Sequence, residues 1–298
     1  MTIMQIPVET FLRVPSPSYH KLLAIARAAS RSGVKERCRW AVDVLEGLMR
    51  RYPHALPIGQ ELVLALLECN DEERAEMVLG QLDRTFRNVD VETLCRWGRL
   101  FKDRGDAYVR LPWSDDPGRP ADPVMARVFY KKSIDRYDQA YAMSSLYYPG
   151  INKATLLLIL GTLGPLAGGV RAREIDESDT LAASLLADRS NWPSSLPEDE
   201  TLWHPATAGE AYLLRQNWIA AAQQYADALE SRHLNAHART AMYRQVERIR
   251  RCFLTLGITI PPPLGDPAVF FGAKPAIDET LESTPEPPAG GIAPDLLR

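Results

Sequence analysis

The feature that most constrains this chain is a set of small and aromatic residues between positions 206 and 231. Gly209 and Tyr212 come first, followed by Ala221, Tyr225 and Ala228. Steps of three and four residues put side chains on one face of a helix. Each of two successive helices therefore presents a narrow stripe to the other. Gly and Ala on the stripe let the two backbones approach closely, and tyrosine fills the space left beside them. A second copy uses Leu94, Trp97, Gly98 and Phe101, then Ala126, Tyr130 and Ser133. Its halves are separated by residues 105–122, rich in Asp, Gly and Pro, which read as an inserted loop. A third, weaker copy places Leu62, Leu66, Ala75, Leu79 and Leu82 at matching offsets.

The rest of the chain agrees with a stack of such hairpins. Apolar residues recur with helical period over 17–31, 35–52, 58–69, 72–86, 90–104, 122–145, 150–163, 172–188, 203–215, 218–231 and 236–256. Between them lie the usual punctuators, among them Pro53, Pro57, Asn70-Asp71, Pro149-Gly150 and Pro193. The spacing is that of the tetratricopeptide repeat, a helix hairpin of about 34 residues. The fold expected is all-α, a right-handed superhelical array of tetratricopeptide-like helix hairpins with a short irregular C-terminal extension. Residues 1–257 form the repeat domain, with 105–122 as its inserted loop. Residues 258–298 form a Pro-rich extension and an acidic disordered tail. Within the extension, Ala268-Val269-Phe270-Phe271 reads as a short strand.

Composition excludes several classes. With 35 basic against 38 acidic residues the net charge is −3, unlike a wholesale nucleic-acid binder. The uncharged run at 154–170 is broken by Gly161, Gly164, Pro165, Gly168 and Gly169 and reads as a buried helix ending in a loop, so no membrane association is expected. Cys38, Cys69, Cys95 and Cys252 form no Cys-x-x-Cys pair, and they read as reduced thiols of a cytoplasmic protein. No Gly-Lys-Ser/Thr phosphate loop or nucleophile elbow is present. His233 and His237, four apart, lack a third ligand. Glu198-Asp199-Glu200 reads as solvated charge. The expectation is therefore no enzyme, no metal and no cofactor.

Two runs resemble a known family. They are Gly98-Arg99-Leu100-Phe101-Lys102-Asp103 and Pro149-Gly150-Ile151-Asn152-Lys153-Ala154-Thr155-Leu156-Leu157, within residues 55–256. Both are similar to the TRAFs-binding helical-repeat domain of the apoptosis signal-regulating kinases and its bacterial relatives. The resemblance implies a non-catalytic regulatory scaffold that binds partner proteins. For the bacterial relatives it implies a sensor of a nucleotide-derived ligand that accompanies signalling and conflict-system effectors. Some of those relatives continue into an α/β domain, and residues 266–278 look like its opening. With 20 residues remaining, any activity of that domain is expected to be absent here.

In a stacked array the first helix of each hairpin lines the concave surface. The register set by Gly98 aims Glu92, Cys95, Arg99 and Lys102 into that surface, and a looser register adds Asn152 or Lys153. Arginine suits planar bidentate acceptors and lysine a point charge, so Arg99, Lys102, Asn152 and Lys153 are the expected binding residues for a carboxylate or phosphate. The function expected is an interaction scaffold that binds an effector or signalling protein through this groove. The alternative is a sensor whose groove takes a small anionic, nucleotide-derived ligand.

Overall fold

The computed structural model describes residues 19–86, 90–109, 121–163, 173–193 and 201–272. Among them there are twelve α-helices and no strand. They are α1 (Tyr19–Ser30), α2 (Lys35–Arg51), α3 (Leu56–Glu68), α4 (Glu72–Thr85), α5 (Val91–Tyr108) and α6 (Pro123–Ser144). These continue as α7 (Tyr147–Thr162), α8 (Arg173–Ala187), α9 (Trp203–Leu214), α10 (Trp218–Leu229), α11 (Ala236–Thr255) and α12 (Pro267–Phe271). From α1 to α10, each odd-numbered helix packs chiefly on the even-numbered one that follows, which makes five hairpins. The chain is an all-α, tetratricopeptide-like array.

Two hairpin turns share one design. At the end of α3, Asn70 adopts left-handed backbone (φ 59°), as Gln216 does at the end of α9 (φ 58°). In the first turn Asp71 N–H donates to Leu66 O at 2.9 Å and Asn70 N–H to Leu67 O at 3.1 Å. In the second, Asn217 N–H donates to Tyr212 O and Gln216 N–H to Leu213 O, both at 2.9 Å. This closing pattern satisfies carbonyls the helix leaves orphaned. The same Asp71 and Asn217 then cap the next helix, accepting from Arg74 N–H and Ala220 N–H. One residue thus ends one helix and starts its partner.

The template positions pack as their sizes require. A Cβ on Gly209 would lie 3.0 Å from the Tyr225 ring, and Tyr225, Ala221 and Ala228 are all fully buried. Gly105 plays the same part against Tyr130, where a Cβ would come within 2.6 Å of the ring. Gly105 is therefore helical, because it admits the tyrosine of the partner helix. The first residues of the expected inserted loop thus belong to α5, which runs to Tyr108, and residues 110–120 lie outside the described ones. Leu22, Leu45, Leu62, Leu79 and Leu100 belong to one core, and Tyr130, Ile151, Leu185, Tyr225 and Phe253 to another. Helix α5 is the seam, giving Trp97, Leu100 and Phe101 to the first and Leu94 and Cys95 to the second.

Two expectations about the C-terminal part need correction. Residues 267–271 are helical, with Asp266 accepting from Val269 N–H and Pro267 at the first turn. A four-residue apolar run has too little length for its period to separate strand from helix. Nor does the domain stop at 257. Ile260, Leu264 and Phe271 are buried, Phe271 packs edge-on against Tyr225 with centroids 5.4 Å apart, and Arg239 donates to Phe271 O at 2.8 Å. The tail at 273–298 lies outside the described residues. No described helix is long and apolar enough to cross a membrane. The apolar run from 154 instead forms most of α7 and is buried in the core as far as Gly161.

Candidate functional site

Helix α11 departs from the hairpin pattern. Its first residue, Ala236, abuts Gly33 beyond α1. His237 Nδ1 lies 3.0 Å from Glu68 Oε1 on α3. Further along, Gln245 donates to Glu210 on α9 at 2.7 Å, and Arg248 Nε donates to Asp106 on α5 at 2.9 Å. Helix α11 also packs on α7. It therefore lies across the inner face formed by α3, α5, α7 and α9, and its 20 residues cover about 30 Å at 1.5 Å per residue.

Beneath α11 the inner helices leave a chamber of about 370 Å³. Asp90 starts α5 by accepting from Glu92 N–H and Thr93 N–H at 3.0 and 3.1 Å, which fixes the helix register. Glu92, Cys95, Arg99 and Lys102 then all line the chamber, as their spacing predicts. Arg99 donates to Glu68 at 2.5 Å and sits 3.4 Å from Asp103. Burial alone would raise the Glu68 pKa, but Arg99 and His237 outweigh it and hold the carboxyl well below the usual carboxylate range. Lys102 is buried and donates to Asn152 Oδ1 at 2.8 Å, while Asn152 Nδ2 donates back to Tyr148 O at 3.0 Å. Burial, reinforced by Arg248, pulls the Lys102 pKa down to about 8.

Deeper in, Glu210 is buried and accepts from Thr155 and Gln245. Its pKa is raised, because burial outweighs those hydrogen bonds. Six cations (Arg31, Arg96, Arg99, Lys102, Arg244 and Arg248) face the chamber against four carboxylates (Glu68, Glu92, Asp103 and Glu210). Tyr148, Trp203 and Tyr225 add aromatic surface. Two buried donors, Arg96 Nε and Tyr225 Oη, have no hydrogen-bond partner among the described residues.

Of the four expected binding residues, Arg99, Lys102 and Asn152 come together in the chamber and Lys153 does not. Lys153 pairs with Asp138 on α6. That contact turns Lys153 toward the partner helix, while Asn152 faces the chamber. The other basic residues near α5 are structural. Arg104 bonds Glu72 and Glu76 of α4, Lys132 lies over the Phe101 and Phe129 rings, and Arg136 over Trp97. Among the described residues no cluster of His, Cys, Asp or Glu could hold a metal.

Sequence reasoning missed the contribution of α11, namely His237, Arg244, Gln245 and Arg248. The sequence carries no signal for it, because the burial of Gln245, Glu247 and Arg248 follows only from where α11 lies.

Residues 37–157 match the model of a family described as Tetratricopeptide Repeats-Sensor. The match runs from α2 into α7 and includes Glu68, Arg99, Lys102 and Asn152. No curated protein and no solved structure gives a significant match.

Proposed function

We propose that the protein is a non-catalytic cytoplasmic sensor whose chamber binds a small anionic, nucleotide-derived ligand. The observation that carries this reading is the position of α11. It covers the inner face, which a partner peptide would otherwise use, and leaves a space of about 370 Å³. Small-molecule sites occupy about 300–1,000 Å³. The arginines and lysine of the lining suit an anion. Lys102 supports this most directly, since its buried ammonium meets an amide and no carboxylate lies within ion-pair distance among the described residues. A phosphate or carboxylate beside it would add a direct ion pair to the longer-range attraction of Asp103, Asp106 and Glu210. The aromatic rings suit a stacked base, and the sensor description of the matched family agrees with this use.

The interaction role is compatible with the same design. An effector or signalling protein would then dock on another face of the array and respond to chamber occupancy. Regulation of a partner protein is also what the resemblance to the TRAFs-binding domain implies.

Thermal melts test the reading with inorganic phosphate, AMP, ATP, NAD and ADP-ribose as probes. A ligand at 100 times its dissociation constant stabilises the folded state by about 2.7 kcal/mol. At least one nucleotide should raise the melting temperature well beyond phosphate alone. A panel with no shift at millimolar concentration would refute the reading.

A further inference from the structure

Directly after Glu68 of the chamber lining, at the end of α3, two thiols lie against each other. Cys69 Sγ donates to Cys38 Sγ at 2.9 Å, and Cys38 Sγ donates to Ala65 O at 3.2 Å. Both cysteines are free. A disulfide needs sulfurs about 2.05 Å apart, so ~0.9 Å of approach separates the two states. The thiols differ in surroundings. Cys38 is buried on α2, whereas Cys69, the residue that ends α3, is only partly buried.

We propose that Cys38 and Cys69 form a reversible thiol–disulfide site oxidised by peroxide, and that the bond acts on the chamber through Glu68. This proposal stands independently of what the chamber binds. Cys69, the less buried of the two, attacks one peroxide oxygen as thiolate. The O–O bond breaks, Cys69 becomes a sulfenic acid, and the released hydroxide takes up the proton shed by Cys69 to leave as water. The Cys38 sulfur then attacks the Cys69 sulfur and the S–O bond breaks. The departing hydroxide leaves with the Cys38 proton as a second water. Two thiols lose two electrons, and one hydrogen peroxide becomes two waters. A thiol reductant such as glutathione reverses the bond by exchange.

The division of roles follows from exposure and charge. Burial, above all, and nearby Glu68 raise the Cys38 pKa, so Cys38 stays protonated until the sulfenic acid forms beside it. Coupling to the chamber follows from chain order. Glu68 directly precedes Cys69 and holds both Arg99, at 2.5 Å, and His237 Nδ1, at 3.0 Å. Drawing Cys69 toward α2 therefore moves the last turn of α3, on which Glu68 and its contact with α11 depend.

The test treats the full-length protein with hydrogen peroxide, then alkylates it in denaturant and maps the peptides by mass spectrometry. Cys38 and Cys69 should become linked and escape alkylation, while Cys95 and Cys252 remain alkylated. Glutathione should restore all four free thiols. In Cys38→Ser, Cys69 should stop at oxygen adducts without a crosslink. Cys69→Ser, at the more exposed position, should leave Cys38 reduced. The His237 ring resonances should move on oxidation of wild type and stay fixed in Cys38→Ser. A linkage between other cysteines, or peroxide-treated wild type with Cys38 still alkylatable, overturns the site. A crosslink that leaves His237 unmoved overturns its action on the chamber.

Discussion

Arg248 of α11 donates from Nε to the Asp106 carboxylate on α5 at 2.9 Å, across 142 positions of sequence. Both side chains are buried, and Tyr130 Oη donates to the other Asp106 oxygen at 2.8 Å. Arg248 also donates to Gln245, which in turn donates to Glu210. A continuous polar network thus anchors α11 over the inner helices. Removing one partner of such a pair strands the other charge in the interior, at a cost of about 3–5 kcal/mol. Arg248→Ala should lose that much in chemical denaturation. Arg248→Met combined with Asp106→Leu should recover most of it. A loss under about 1 kcal/mol for Arg248→Ala would show that α11 is not anchored there.

Lys102 makes a pH prediction with a definite sign. Its folded pKa of about 8 lies below the ordinary 10.5. Between those values the unfolded chain binds more protons at this site than the folded one, so its contribution to stability improves as pH rises. Below pH 8 the full cost is present. Lys102→Met should therefore be more stable than wild type at pH 7, by on the order of 1–3 kcal/mol. Paired denaturation curves at several pH values should show that advantage shrinking between pH 8 and 10.5. An advantage that grows over the same window would contradict the assignment.

Close approach of α5 and α6 depends on Gly105. A Cβ there would meet the Tyr130 ring at 2.6 Å and push away the hydroxyl that holds Asp106. Gly105→Ala should cost about 1–3 kcal/mol through overpacking. Amide exchange in α11 should speed up as well, because the shared Asp106 links the two sites. Unchanged α11 protection would separate the packing effect from the anchor.

Much of this architecture is legible in the sequence, for physical reasons specific to repeats. Gly209, Ala221, Tyr225 and Ala228 announce a hairpin because each position admits only a narrow range of side-chain sizes. Glu92, Cys95, Arg99 and Lys102 could be aimed inward because they share the face of α5 set by Gly98. Asn152 and Lys153 could not be told apart without knowing the rotation of α7 about its own axis. The route of α11 was hidden for a different reason. Its apolar stripe resembles that of any closing helix, and its polar contacts are made across as many as 142 residues. The helix at Pro267–Phe271 was missed because Asp266 and Pro267, its cap and first turn, weighed less than four apolar residues in a row.

The most direct test of the account is calorimetric titration of wild type, Lys102→Gln and Lys153→Gln with the nucleotide that gives the largest thermal shift. Lys153 pairs with Asp138 on the outer side, so its neutral variant should bind as tightly as wild type. Lys102→Gln should bind at least about 10-fold more weakly, since a hydrogen bond to a charged group contributes about 1.5–3 kcal/mol. Binding to wild type should be one to one. Equal affinity of Lys102→Gln and wild type, or loss of binding in Lys153→Gln alone, would place the ligand outside the chamber and contradict the account.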